Sequence, residues 1–200
     1  MYKKLLTMMG TLALLGLTAG QAQAITISIL PSTSIAGPGD TVTVDLVAVA
    51  SFAGETTIGG NFAISWDVPG LQLVPGSASV DTSWVSGPIT ENASSISVNV
   101  TDLFYLALGT PRALDLVTPT SIATLSFIYA GGPAANITGL DDPNAVNPGW
   151  FTVDQAGNSQ SITSSYESGI VTSPVPVPAA AWLMLSGLLG LVGVARRKGA

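Results

Sequence analysis

Gly37-Pro38-Gly39-Asp40-Thr41-Val42-Thr43-Val44-Asp45-Leu46 is a turn followed by a run in which Val42, Val44 and Leu46 alternate with polar residues. A period of two places the aliphatic side chains on one face of a strand, whereas a helix would scatter them. The same alternation continues upstream, where Ile25, Ile27 and Ile29 interleave with Thr26 and Ser28 until Pro31, which removes a ladder donor. Downstream it recurs in Phe62-Ile64-Trp66, Ile96-Val98-Val100, Ala123-Leu125-Phe127-Tyr129, Phe151-Val153 and Ile170-Val171, with Gly, Pro, Asn and Ser between. The expected fold is all-β, a two-sheet antiparallel sandwich. A closed barrel buries one face of each strand equally well, and the uneven loops favour the sandwich.

The chain of 200 residues, less its two hydrophobic ends, leaves enough length for one domain. Between Ile25 and Ala195 a single basic residue, Arg112, stands against all twelve acidic ones, which argues against nucleic acid as a partner, since phosphates call for clustered Lys and Arg. The absence of Cys and His removes thiol nucleophiles, disulfides, thiolate and imidazole metal ligands, and every triad with an imidazole base.

The ends carry targeting signals. Lys3 and Lys4 precede an apolar run from Leu5 to Ala19, and Ala22-Gln23-Ala24 supplies the small residues at which signal peptidase cuts, so residues 1–24 read as a signal helix and Ile25 as the mature start. At the other end, residues 173–178 (Ser-Pro-Val-Pro-Val-Pro) form a stiff extended linker, because each proline fixes its own φ and biases its predecessor away from helix. From Ala179 to Ala195 every residue is apolar or small, a transmembrane helix at the short end of the required length. Arg196, Arg197 and Lys198 act as the membrane stop in a cytoplasmic tail of residues 196–200, which puts the domain at 25–172 on the side to which the signal peptide delivers it.

The ordered set Val175-Pro176-Val177-Pro178-Ala179-Ala180-Ala181-Trp182, then Ser186-Gly187-Leu188-Leu189-Gly190, then Arg196-Arg197-Lys198 resembles a PEP-CTERM sorting signal of the Val-Pro-Leu-Pro-Ala subtype. It departs from the usual motif in having Val177 where that motif has glutamate. The resemblance implies that Pro176, Val177, Pro178 and Ala179 are read by an exosortase-type processing enzyme. It further implies a Gram-negative bacterium, a route through the inner membrane to the cell surface or medium, and a link to exopolysaccharide or biofilm. Within the domain, the succession of Gly37–Val44, Phe62-Ala63-Ile64-Ser65-Trp66-Asp67-Val68-Pro69-Gly70-Leu71 and Ile122–Phe127 resembles cohesin-like domains. That likeness implies a nine-stranded jelly roll binding a dockerin-like protein or a glycan.

Candidate chemistry is sparse. Asp141-Asp142 is the one adjacent acidic pair, and in Asp-Asp-Pro-Asn it reads as a turn more than as the paired carboxylates of a glycosidase. Asp141, Asp142, Asn144 and Asp154 could supply oxygen ligands to calcium, although their spacing matches no EF-hand loop. Trp66, Trp84, Trp150 and Tyr105 could stack on sugar rings or pack in the core, with Trp150 the most exposed of them because it follows Pro148-Gly149. Asn92, Asn99 and Asn136 begin Asn-x-Ser/Thr triplets of the kind that Ser/Thr-rich strands produce by chance. The sequence therefore predicts no catalytic residue and no required cofactor. It points to an exported noncatalytic surface or matrix protein, with a glycan- or protein-binding module as the alternative and a carboxylate glycosidase third.

Overall fold

The computed structural model describes residues 23–154, 156–174, 184 and 186. In chain order the elements are β1 (Ala24–Pro31), β2 (Thr41–Ala50), β3 (Thr56–Thr57), β4 (Gly59–Trp66), β5 (Leu71–Leu73), β6 (Ser79–Val80), β7 (Trp84–Ser86), β8 (Thr90–Glu91) and β9 (Ser95–Asp102). A helix α1 (Leu103–Leu108) follows, then β10 (Arg112–Ala113), β11 (Thr120–Tyr129), β12 (Ala135–Asp141), β13 (Gly149–Val153), β14 (Ser159–Glu167) and β15 (Gly169–Val171). The fold is all-β, as the alternation predicts.

Two walls enclose the core. One is β1, β2 and β11 with β5 and β6 at its edge, and it turns Ile25, Ile27, Ile29, Val42, Val44, Leu46, Leu125 and Phe127 inward. The other is β9, β4 and β12 with β13 beside the start of β4, and it supplies Ile96, Val98, Val100, Phe62, Ile64, Trp66 and Ile137. All of these side chains are buried, and all but Ile137, which lies on a strand that the alternation does not reveal, are residues that the period of two assigns to the inner face. Trp66 meets Phe127 edge-on across the core, with ring centroids 5.1 Å apart.

The expected pair of separate antiparallel sheets is corrected in one respect. β1 pairs with β2 antiparallel on one side and with β14 in parallel on the other, from Ala24 opposite Thr163 to Ser28 opposite Glu167. Because β14 also pairs with β13, the two walls are joined into one curled, continuously hydrogen-bonded sheet. β1 can serve two walls at once because its backbone donors and acceptors alternate from edge to edge along the strand.

A second correction concerns the phase of β13. The alternation Phe151-Val153 suggested that these two face the core, but Trp150 and Thr152 do so and Phe151 and Val153 are half-buried. Gly60 explains the choice, since a Cβ on it would lie 2.6 Å from the Trp150 ring, so the indole fills the space that a missing side chain leaves.

The helix α1 was not anticipated. Asp102 caps it by accepting the Tyr105 N–H at 2.9 Å, and Gly109 ends it in the left-handed region, its N–H donating to the Tyr105 carbonyl. Ala24, assigned by the sequence to the end of the leader, opens β1; its N–H donates to Glu55 Oε1 at 2.6 Å. Ala22, Pro176, Val177, Pro178, Ala179, Arg196, Arg197 and Lys198 lie outside the described residues, as do 1–22 and, apart from Met184 and Ser186, the expected membrane helix. Among the described residues no helix is long and apolar enough to cross a membrane.

Candidate functional site

The side chains that alternate outward from β9, β4 and β12 form a broad face of short polar groups. Ladder register sets them in rows: Ser95, Ser65 and Thr138; Ser97, Ala63 and Leu140; Asn99, Asn61 and Gly149; and Thr101, Gly59, Phe151 and Ser161. No member of these rows is charged. Ser65 and Thr138 share a hydrogen bond of 2.9 Å, and at the border Asp67 Oδ2 accepts the Asn136 backbone N–H and side-chain amide, each at 2.9 Å. Those two donors, the backbone one first, hold the Asp67 carboxyl below its usual range.

The last of these rows is indented into a groove of about 380 Å³ between Asn99 and Thr101 on one side and Phe151 and Ser161 on the other. Its floor is Gly59, whose φ of 128° and whose hypothetical Cβ, 2.0 Å from the Val100 carbonyl oxygen, admit no side chain. The Asn99 side-chain amide donates to Asn61 Oδ1, and the Asn61 amide donates to the Asn147 carbonyl at 2.6 Å. The hydroxyls of Thr101 and Ser161 have no partner among the described residues, and both open onto the groove.

Of the two roles open to Trp66, Trp84 and Trp150, packing in the core is the one they take, because all three are buried. Trp150, expected to be the most exposed, is wholly inaccessible, stacked on Phe62 at 5.6 Å and edge-on to Trp84 at 6.1 Å. Phe151, one residue on, is the aromatic that this face presents. Tyr105 lies apart, half-buried in α1.

The acidic candidates are not brought together. Asp141 Oδ1 accepts the Ser164 hydroxyl at 2.5 Å and the Tyr166 hydroxyl at 2.8 Å, and burial together with that carboxylate raises the Tyr166 pKa. Asp142 instead accepts the Asn144 N–H at 2.9 Å, an Asx turn of the kind that Asp-Asp-Pro-Asn suggests. Asp154 organises the β13–β14 turn, accepting the Asn158 N–H at 2.8 Å and the Ala156 N–H at 2.9 Å, and the Asn158 donors foremost lower its pKa. Among the described residues no group of three or more acidic side chains could hold a metal ion. Asn99 and Asn136 are engaged in the pairs given above, and Asn92 lies on the exposed surface.

Sequence reasoning missed a buried knot around Arg112. Its guanidinium pairs with Asp102, which is fully buried, donates to the Ser83 carbonyl at 3.1 Å and lies 4.7 Å from the Trp84 ring centroid. A lone cation in a long acidic segment was the available signal.

No family model matches the sequence, and no curated protein does. Solved structures of similar shape are cohesin domains. The seventh ScaB type I cohesin from Pseudobacteroides cellulosolvens superposes with a TM-score of 0.53 at 14% identity, over 77% of this chain and 94% of that one. A non-cellulosomal cohesin from the archaeon Archaeoglobus fulgidus gives 0.51 at 14%, over 79% and 96%. The sixth cohesin of Acetivibrio cellulolyticus scaffoldin B, solved in complex with a Cel5 dockerin mutant, gives 0.51 at 16%, over 76% and 99%. At such identities the likeness establishes a cohesin-like fold and nothing finer.

Proposed function

We propose that this chain is an exported, noncatalytic protein-binding module that docks a dockerin-like partner across the outer face of β9, β4 and β12. The observation that carries the reading is the face itself. Its rows present Ser, Thr, Asn, Ala and Leu140 without a charge, so a partner can cover them without stranding an ion away from water. The cohesin-like fold supports the same reading, since one of the similar cohesins was solved with a dockerin seated on it.

The test is a pull-down from the secreted fraction of the source organism with the wild-type chain and with Thr138→Arg. Thr138 is exposed on β12, in the row at the end of the face away from the groove, so an arginine there leaves the fold intact and obstructs docking. A defined stoichiometric complex that Thr138→Arg abolishes would support the reading. No complex, or one indifferent to Thr138→Arg, would sink it.

Export and sorting rest on the termini. Signal peptidase removes the leader, and an exosortase-type enzyme reads Pro176, Val177 and Pro178 before releasing or attaching the domain at the cell surface, in keeping with a role in an exopolysaccharide matrix. Replacing Pro176 and Pro178 by alanine is expected to trap full-length protein in the membrane fraction. Unchanged size and release on an immunoblot would refute this.

A further inference from the structure

We propose that the groove between Thr101 and Ser161 is a binding site for a neutral polysaccharide chain, seated against the ring of Phe151. This site lies at one end of the same outer face, and its argument does not depend on the protein-docking reading.

The groove lies in mid-sheet. The backbone of β4 at its floor is paired with β9 on one side and β13 on the other, so it has no free edge to offer a peptide strand. A ligand must therefore be held by side chains. Those available are uncharged hydroxyls and amides, which suit a chain of neutral sugars and provide no cation for an acidic one. Among the described residues the Thr101 and Ser161 hydroxyls have no partner, and Asn61 and Asn99 are oriented by donating one N–H each, which leaves each amide a second N–H for a ligand oxygen.

Phe151 completes the set. Its backbone is locked between Gly59 and Ser161, so its half-buried ring is a fixed apolar surface beside those polar groups. A flat ring next to convergent hydrogen-bonding groups matches a pyranose, which has an apolar face and a polar rim. The Gly59 floor keeps the trough open, because no residue with a side chain fits there. Its volume of about 380 Å³ falls within the range of small-ligand sites, about 300–1,000 Å³.

Native affinity electrophoresis of the full-length chain in mild detergent tests the site, with hydroxyethylcellulose, galactomannan or dextran cast in the gel and alginate as the acidic counterpart. At least one neutral polymer is expected to retard the protein and alginate is not. Ser161→Arg, which fills the trough from an exposed position, and Phe151→Ala are each expected to weaken that retardation about five- to tenfold with the melting midpoint retained. Thr138→Arg, which blocks the protein-docking face, is expected to leave the retardation unchanged, so failure of one site is distinguishable from failure of the other. The proposal is overturned if no neutral polymer retards the wild-type chain, if alginate retards it equally, or if Ser161→Arg and Phe151→Ala both migrate like wild type.

Discussion

Replacing Arg112 by alanine should be among the most damaging single changes in the domain. Among the described residues the guanidinium is the only partner of opposite charge to a carboxylate, Asp102, that has no exposure to solvent, and its own side chain is 17% exposed. Removing it leaves Asp102 with the Tyr105 N–H of the helix cap and no cation. Breaking a buried pair in this way costs about 3–5 kcal/mol, chiefly the penalty of an uncompensated buried charge. The contact with Trp84, worth ~0.5–2 kcal/mol, belongs to the same guanidinium and overlaps this figure. For a domain of this size, ~2–4 °C is lost per kcal/mol, so the melting midpoint should fall by roughly 6–20 °C. Thermal melts followed by tryptophan fluorescence report the region directly, because Trp84 lies against Arg112 and its indole N–H donates to the Ser121 carbonyl at 2.7 Å. Adding Asp102→Asn to Arg112→Ala should recover part of the loss, since asparagine caps helices well and carries no charge. A loss below about 1 kcal/mol for Arg112→Ala, or no recovery in the double variant, would refute the argument by showing that Asp102 is rehydrated at little cost.

Gly60→Ala should cost about 1–3 kcal/mol by overpacking, because the added methyl would lie 2.6 Å from the Trp150 ring; a midpoint equal to wild type would show that the indole can shift. Acidification should destabilise the domain. The carboxyls of Asp67, Asp81, Asp115 and Asp154 have lowered pKa values in the folded state, so their contribution is complete above the ordinary carboxylate pKa and is lost as pH falls through the folded values. Melts from neutral to strongly acid pH check this, and Asp154→Asn should flatten the acid limb. Millimolar calcium should leave the midpoint unmoved, since Asp141, Asp142 and Asp154 each serve a different set of protein donors; a rise would reinstate them as ligands.

What alternation reveals is which residues face inward along a strand that has one apolar face. It therefore identified β1, β2, β4, β9 and β11 together with their core sides. It failed at β13, where Gly-Trp-Phe-Thr-Val carries large apolar groups in both phases and the decision rests with Gly60 on a neighbouring strand. β14 escaped notice because Ser-Gln-Ser-Ile-Thr-Ser-Ser-Tyr-Glu buries only Ile162 fully, and β12 because its Thr, Gly and Asn content reads as loop. The parallel pairing of β1 with β14 joins residues 139 apart, as between Ser28 and Glu167, a relation that no local pattern encodes. The candidate groove was hidden for a similar reason, since Gly59, Thr101, Phe151 and Ser161 become neighbours only through register. The helix α1 was the exception that could have been read, since Asp102 and Gly109 bracket its one apolar stretch with ordinary caps.

The parallel β1–β14 pair also determines how the domain would carry a load. From Glu167 the chain continues beside β1, where Gly169 lies against Ile29 and Pro31, and leaves through Ser173, whereas β1 begins at the opposite end. A pull between the two termini therefore slides the strands lengthwise past each other and strains all their cross-links together, where a hairpin pulled at its open end would unzip them one by one. A tether beyond Ser173 and a load at the start of β1 would meet this seam in shear, the direction in which its bonds share the force.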